Sequence, residues 1–194
     1  MGLKIITPRS TPIPIADLRL HLKLDATGGS HPDDALILAQ ADAAADLCQH
    51  HTGRAVGAQT VELALDAFPA TVAIALHLGP VQSITSLKYI DTAAAEQTLA
   101  PSAYTLDDYG IPAYLVPAVD TVWPGTLATV NAVKVRYLVG DAVLRPSIRA
   151  AMLLLVGHLY EHREAVSSGT WSELPIGLRA LLDVERDYSG AGGI

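Results

Sequence analysis

Cysteine is nearly absent from this 194-residue chain, where Cys48 stands alone. A single thiol excludes an internal disulfide framework and any zinc cage built from cysteines only. Aromatic residues are scarce at 5%, and basic residues are outnumbered, 13 Lys and Arg against 20 Asp and Glu. The resulting net charge of -7 and pI near 5.4 argue against a surface built to grip phosphates. No apolar run reaches the ~18 residues that a bilayer-spanning helix requires. Met1 to Ser10 holds Lys4 and Arg9 but no apolar stretch followed by a cleavage site, so no signal peptide is expected. Also missing are a G-x-S-x-G elbow, a Walker glycine loop, and a G-x-G-x-x-G turn between strand and helix. The Lys and Arg residues lack the aromatic interleaving of a single-strand binder. What is present is apolar material, 50% of residues against 17% charged. That balance excludes disorder, and a chain of this length can bury a core in the size range of one domain. The expectation is a soluble, intracellular, acidic protein.

The hydrophobic period changes twice along the chain. Pro8, Pro12 and Pro14 hold the opening extended, and Ile15, Leu18 and Leu22 then recur at helical spacing behind Asp17. Gly28, Gly29 and Ser30 break that pattern. Ser30 and Asp33 form a capping-box-like pair around Pro32, which predicts a long helix to about Thr52 with Gly53 as its stop. Its apolar positions Leu36, Ala39, Ala43 and Leu47 recur every three or four residues, and it is rich in alanine, from Ala35 to Ala45, a good helix former that also lets a neighbouring helix approach closely. From Gly57 to Gly140 the period falls towards two. Strands are expected at Val61–Leu65, Thr71–Leu78, Ser83–Ile90, Tyr104–Leu106, Ala113–Val116 and Val130–Val139, joined as antiparallel hairpins and meanders. Asp107-Asp108-Tyr109-Gly110 reads as a hairpin tip. The helical period returns at Pro146 and runs to about Ala165. Ala150 to Val156 is apolar on every side, so it must be covered by its own domain or by another subunit. Trp171 reads as an anchor, Pro175 to Asp187 as a last short helix, and residues 189–194 as a flexible tail.

The most chemical of the motifs is His158-Leu159-Tyr160-Glu161-His162, which fits the H-x-x-E-H pattern of inverted zinc peptidases. Two histidines four apart on a helix share a face and can hold one zinc, with Glu161 as general base. Glu173, Asp183, Glu185 and Asp187 are the downstream acids that could add a ligand. A solvated helix end with two histidines is the plainer reading, because so short a pattern recurs by chance. Cys48 and His51 lie one helical turn apart, the spacing of a thiol and its base. A histidine near a helix C-terminus is equally explained by the dipole. His21, His31 and His77 have no partner at useful spacing.

The order of segments resembles one family. Pro14-Ile15-Ala16-Asp17-Leu18-Arg19-Leu20-His21-Leu22 matches its opening helix. Asp33-Asp34-Ala35-Leu36-Ile37 and His51-Thr52-Gly53-Arg54-Ala55 match the two ends of its long helix. Gln59-Thr60-Val61-Glu62-Leu63, Leu78-Gly79-Pro80-Val81 and Val135-Arg136-Tyr137-Leu138-Val139-Gly140 follow in order. The strongest segment is Arg149 to Ala165, followed by Leu174-Pro175-Ile176-Gly177-Leu178 and Leu181-Leu182. Together, from about Pro14 to Leu182, these resemble the phage and prophage head-tail connector proteins, also called head-completion or adaptor proteins. The family pattern has asparagine where this chain has His162, which weighs against zinc.

The resemblance implies a structural virion protein without catalysis or cofactor. It implies a homo-oligomeric ring, twelvefold in the virion, beneath the portal protein. The ring would line the DNA exit channel without sequence-specific binding and offer a docking surface to a tail-completion or tail protein. Its place would be the virion neck, and the bacterial host cytoplasm during assembly, with no membrane partner. An acidic lumen would let DNA slide. A different neck or tail-completion protein, and a small zinc hydrolase, are the alternatives. The expected fold is α+β, a helical bundle formed by residues 1–56 and 141–188 with an antiparallel β module, 57–140, inserted between them. Candidate interface residues are Ala41, Ala45, Met152, Leu154, Arg163 and Trp171, although packing of the two long helices on each other within one subunit is the preferred reading.

Overall fold

In chain order the elements are β1 (Gly2–Thr7), α1 (Ile15–His21), α2 (Asp34–Thr52), β2 (Gln59–Leu65), β3 (Ile74–Leu76), β4 (Val81–Ile90) and β5 (Glu96–Leu99). A short 3-10 helix (Pro101–Ala103), β6 (Tyr104–Asp107), β7 (Ala113–Pro117), β8 (Val133–Val139), α3 (Pro146–Glu161) and α4 (Ile176–Asp183) complete them. They come from a computed structural model that describes residues 2–25, 29–70, 73–162 and 176–187. The architecture is α+β, and every strand pairing is antiparallel. The described residues fall into two compact units, one of residues 2–9 and 58–141 and the other of residues 10–57 and 142–187.

The helical unit is built on α2 and α3. Ile37, Ala41, Ala44, Ala45 and Cys48 of α2 join Ile148, Ala151, Met152, Leu155 and Val156 of α3 in one buried cluster, closed by Leu18 of α1 and Leu178 and Leu182 of α4. The buried face of α2 is not the stripe that the spacing marks: Leu36, Ala39, Ala43 and Leu47 are exposed, and the small Ala41, Ala44 and Ala45 face the core instead, where α3 packs against them. Gly53 ends α2 in the left-handed region at φ 69, a conformation that suits glycine, and its N–H donates to the Gln49 carbonyl. The N-terminus differs from the expected capping box. Asp33 is the cap residue but makes no side-chain cap bond. Its carboxylate instead accepts the Tyr160 hydroxyl at 2.6 Å, a tertiary tie to α3.

Arg19 of α1 reaches Asp34 at the start of α2 through both Nε, at 2.7 Å, and Nη2. The Arg19 bonds, with the His31 backbone N–H as a further donor, hold the Asp34 carboxyl below the usual carboxylate range. A lowered pKa in the folded state stabilises above the unfolded value of about 4 and is lost as pH falls through the folded one. Asp34→Asn should therefore lower the thermal midpoint at pH 7, and the gap to wild type should close on titration towards pH 3. A gap that widened in acid would show that the carboxylate does not act through this pair.

In the other unit, β1-β2-β8-β4-β5 form one sheet and β3-β7-β6 a second. β8 alternates strictly: Val133, Val135, Tyr137 and Val139 are buried, and Lys134, Arg136 and Leu138 between them lie on the opposite face. β2 repeats this with Gln59, Val61 and Leu63 buried. Tyr137 donates its hydroxyl to the His77 carbonyl at 3.0 Å, which ties β8 to the chain leaving β3. β4 carries register shifts at Val81/Ser83 and Ile84/Ser86, so its burial does not alternate cleanly.

Several boundaries differ from expectation. The strand expected over Thr71–Leu78 is the three-residue β3, with residues 71 and 72 outside the described ones. β1 and β5 were not expected. β1 pairs with β2 as an edge strand whose Leu3 and Ile5 stay 43% and 45% exposed, so its side chains give no core signal. Residues 2–9 thus lie in the sheet unit and not with the helices. The 189–194 tail lies outside the described residues.

Candidate functional site

The H-x-x-E-H segment falls at the very end of α3. Glu161 is the last helical residue, and His162, at φ -112 and ψ 77, has left the helix. The two imidazoles stack, with centroids 4.6 Å apart, and His162 Nδ1 lies 3.1 Å from the His158 carbonyl oxygen. His158, Glu161 and His162 are exposed. The downstream acids are engaged elsewhere. Asp183 meets His51 Nε2 at 2.9 Å, and Glu185 accepts Ser147 Oγ at 2.6 Å and Arg145 at 3.0 Å. Glu173 and Glu164 lie outside the described residues. Among the described residues no three His, Cys, Asp or Glu side chains are grouped to hold a metal ion. Untagged protein should therefore carry no stoichiometric zinc, and His158→Ala should leave metal content and thermal midpoint unchanged. Zinc at one per chain, lost in that variant, would overturn this.

Cys48 is fully buried in the helical core, and His51 points to Asp183 of α4. The pair thus forms a packed thiol and a helix–helix polar tie. The interface candidates divide. Ala41, Ala45 and Met152 are fully buried within the helical unit, and Leu154 is 49% exposed on α3. Arg163 and Trp171 lie outside the described residues. No helix among the described residues is long and apolar enough to cross a membrane.

The sheet unit presents three surfaces that reading along the chain did not bring together. Phe68 stacks on Trp123 at 4.8 Å, and this pair lines an open cavity of about 400 Å³ with Pro69, Pro117, Val122 and Pro124. The outer face of the large sheet carries a hollow of about 160 Å³ lined by Glu62, Ser86, Lys88, Glu96, Lys134 and Arg136. There Arg136 Nη2 and Nε reach Glu62 at 2.7 and 3.1 Å, and Lys88 Nζ reaches Glu96 at 2.8 Å. The Lys88 bond and its charge, with Lys134 behind it, hold the Glu96 carboxyl below its usual range. The third surface is the β6–β7 tip, where Asp107, Asp108, Tyr109 and Gly110 are all exposed. The tip was legible as a turn. The hollow was not, because its residues come from four strands whose pairing is long-range, although strand alternation does put Glu62, Lys134 and Arg136 opposite buried neighbours.

No protein-family model matches the chain, and no curated protein does. Solved structures do. A chain from the neck of an empty gene transfer agent (GTA) particle, computed with C6 symmetry, is 26% identical with a TM-score of 0.81 and covers 100% of this chain and 99% of its own. A chain from the virion of a native GTA particle is 25% identical, TM-score 0.79, with the same coverage. One from the neck of a native GTA particle, computed with C12 symmetry, is 24% identical with a TM-score of 0.76, a likeness of fold. The chain is therefore similar, from end to end and in both units, to chains of gene transfer agent necks and virions.

Proposed function

We propose that this protein is a structural component of the neck of a phage-like particle, a head-tail connector that assembles as a ring between portal and tail. The observation that carries this reading is the end-to-end likeness, at 26% identity and with 99% of the other chain covered, to a chain in a particle neck. A likeness confined to one unit would support only a shared module. The likeness here spans the helices and the β-rich insertion together, so it supports a shared role. The C6 and C12 symmetry of the neck structures supports a ring, whose contacts join one face of a copy to a different face of the next. Within that ring the helical unit would supply the rigid frame and the sheet unit the surfaces that meet other polypeptides. DNA would pass through without being read, in keeping with the net charge of -7. Portal protein on one side and a tail-completion protein on the other are the partners this place in the particle requires.

The test is imaging of particles purified from cells that carry an epitope insertion in this chain. The expected result is label at the neck, in a ring of twelve copies between portal and tail. Particles with a complete neck that lacks the label would overturn the assignment.

A further inference from the structure

The outer face of the large sheet concentrates basic charge in a chain that has little. Three of its four lysines, Lys4, Lys88 and Lys134, stand on this face with Arg136. Lys134 and Lys88 are direct cross-strand partners, a like-charge pairing that destabilises a sheet. Glu96 relieves half of it by bonding Lys88 at 2.8 Å, and Arg136 is served by Glu62. Lys134 has no ion pair or side-chain hydrogen bond among the described residues. Two carboxylates thus serve the four cations of the face, and Lys134, within the field of Glu96 but bonded to neither carboxylate, stands on β8 beside the 160 Å³ hollow.

The same chain carries the complement. Tyr109 is 101% exposed, so nothing among the described residues covers its ring. It stands at the β6–β7 tip beside Asp107 and Asp108, where Asp107 Oδ1 accepts the Tyr109 N–H at 3.3 Å. The tip is anchored by the Asp107–Tyr114 register of β6 and β7. It therefore projects two carboxylates and an aromatic ring from a fixed hairpin.

We infer that the Asp107-Asp108-Tyr109 tip of one copy docks on the Lys134 face of the next, as a head-to-tail contact of the ring. Asp108, which has no partner of its own among the described residues, supplies a carboxylate to Lys134. Tyr109 offers its ring face to the exposed cation of Arg136 or Lys88. A heterologous contact of this kind repeats around a ring without further elements, and its charges fix which faces meet. Nucleic acid fits the face less well, since Glu62 and Glu96 would stand against every phosphate laid across it.

This inference rests on the ring reading, and charge exchange separates the two. Lys134→Glu leaves a Glu–Lys88 pair on the sheet, and Asp108→Lys alters an exposed tip, so both variants should fold with the wild-type thermal midpoint. Mass measured by sedimentation over a range of concentrations should show each single reversal raising the concentration for half-assembly about tenfold or more. The double variant, with charges exchanged, should return to near the wild-type value. Wild-type rings that neither reversal weakens would overturn this contact and leave the ring standing. A wild-type chain that stays monomeric at every concentration, and is absent from labelled necks, would overturn both. Duplex DNA retained by wild type and released by Lys134→Glu, at unchanged mass, would assign the face to phosphates and overturn the docking.

Discussion

Tyr137→Ala should lower the unfolding free energy of the sheet unit by about 3 to 5 kcal/mol, the cost of emptying a buried aromatic site. Tyr137 is among the largest fully buried side chains, on the central strand β8 between β2 and β4. Removing its ring leaves a cavity that Val61, its partner on β2, and Ile84, its partner on β4, cannot fill without breaking register. It also removes the hydroxyl that the His77 carbonyl accepts. Burial, opposed in part by that bond, pushes the phenol well above the usual tyrosine range. Tyr137→Phe isolates the second part and should remove only about 1 kcal/mol, the net worth of one hydrogen bond. Urea unfolding followed by Trp123 fluorescence, in a Trp171→Phe background, reads both in the unit concerned. A Tyr137→Ala loss below about 1.5 kcal/mol would show that β8 is not the packed centre of this sheet.

What could be read from the amino acids depended on the range of the interaction. The two long helices were legible as helices because helical spacing and local stops, such as Gly53, are written within each segment, whereas the buried face of α2 was not, since Leu36 and Leu47 lie exposed and tertiary packing on α3 selects Ile37, Ala41 and Ala45. β8 was legible for the same reason: Val133, Val135, Tyr137 and Val139 alternate with Lys134, Arg136 and Leu138 in a single run. β1 was not, since an edge strand with exposed Leu3 and Ile5 carries no one-sided pattern, and its identity lies in pairing with β2 more than fifty positions away. β5 is built from polar residues and held partly from outside, by Asp91 accepting the Ala93 and Ala95 N–H groups at the β4–β5 turn. The Ser30 and Asp33 cap shows the opposite limit. The residue types were right for a cap, yet Asp33 binds Tyr160 instead, because a tertiary hydroxyl won the carboxylate. The motif that looked most chemical, His158 with His162, is an exposed stacked pair at the end of α3, with no third ligand grouped beside it among the described residues. The Lys134 face, which no motif marks, is organised by sheet register, and the Tyr109 tip was legible as a turn but not as a complement to that face.

Met152→Ala should cost the helical unit about 2 to 5 kcal/mol, whereas Leu154→Ala, two positions on, should change its stability by no more than about 0.5 kcal/mol. Both residues lie in the run of α3 that is apolar on every side, and their neighbours decide which matters for folding. Met152 is enclosed with Ala41, Ala45, Cys48 and Leu182 in the same cluster. The alanines that α2 contributes to this cluster are too short to fill the space Met152 leaves. Ala45→Leu tests the same packing from the other side: three added carbons at a fully buried site should destabilise by about 1 to 3 kcal/mol. Leu154, half exposed, has no such enclosure, and an exposed leucine within the apolar run of α3 is where a second chain would be felt. Thermal unfolding and sedimentation on the same three variants separate the two roles of α3. The expected pattern is loss of stability for Met152→Ala and Ala45→Leu, and unchanged stability with weaker self-association for Leu154→Ala. If Met152→Ala kept full stability and lost only association, the buried seam between α2 and α3 would belong to the ring and not to the fold of one subunit.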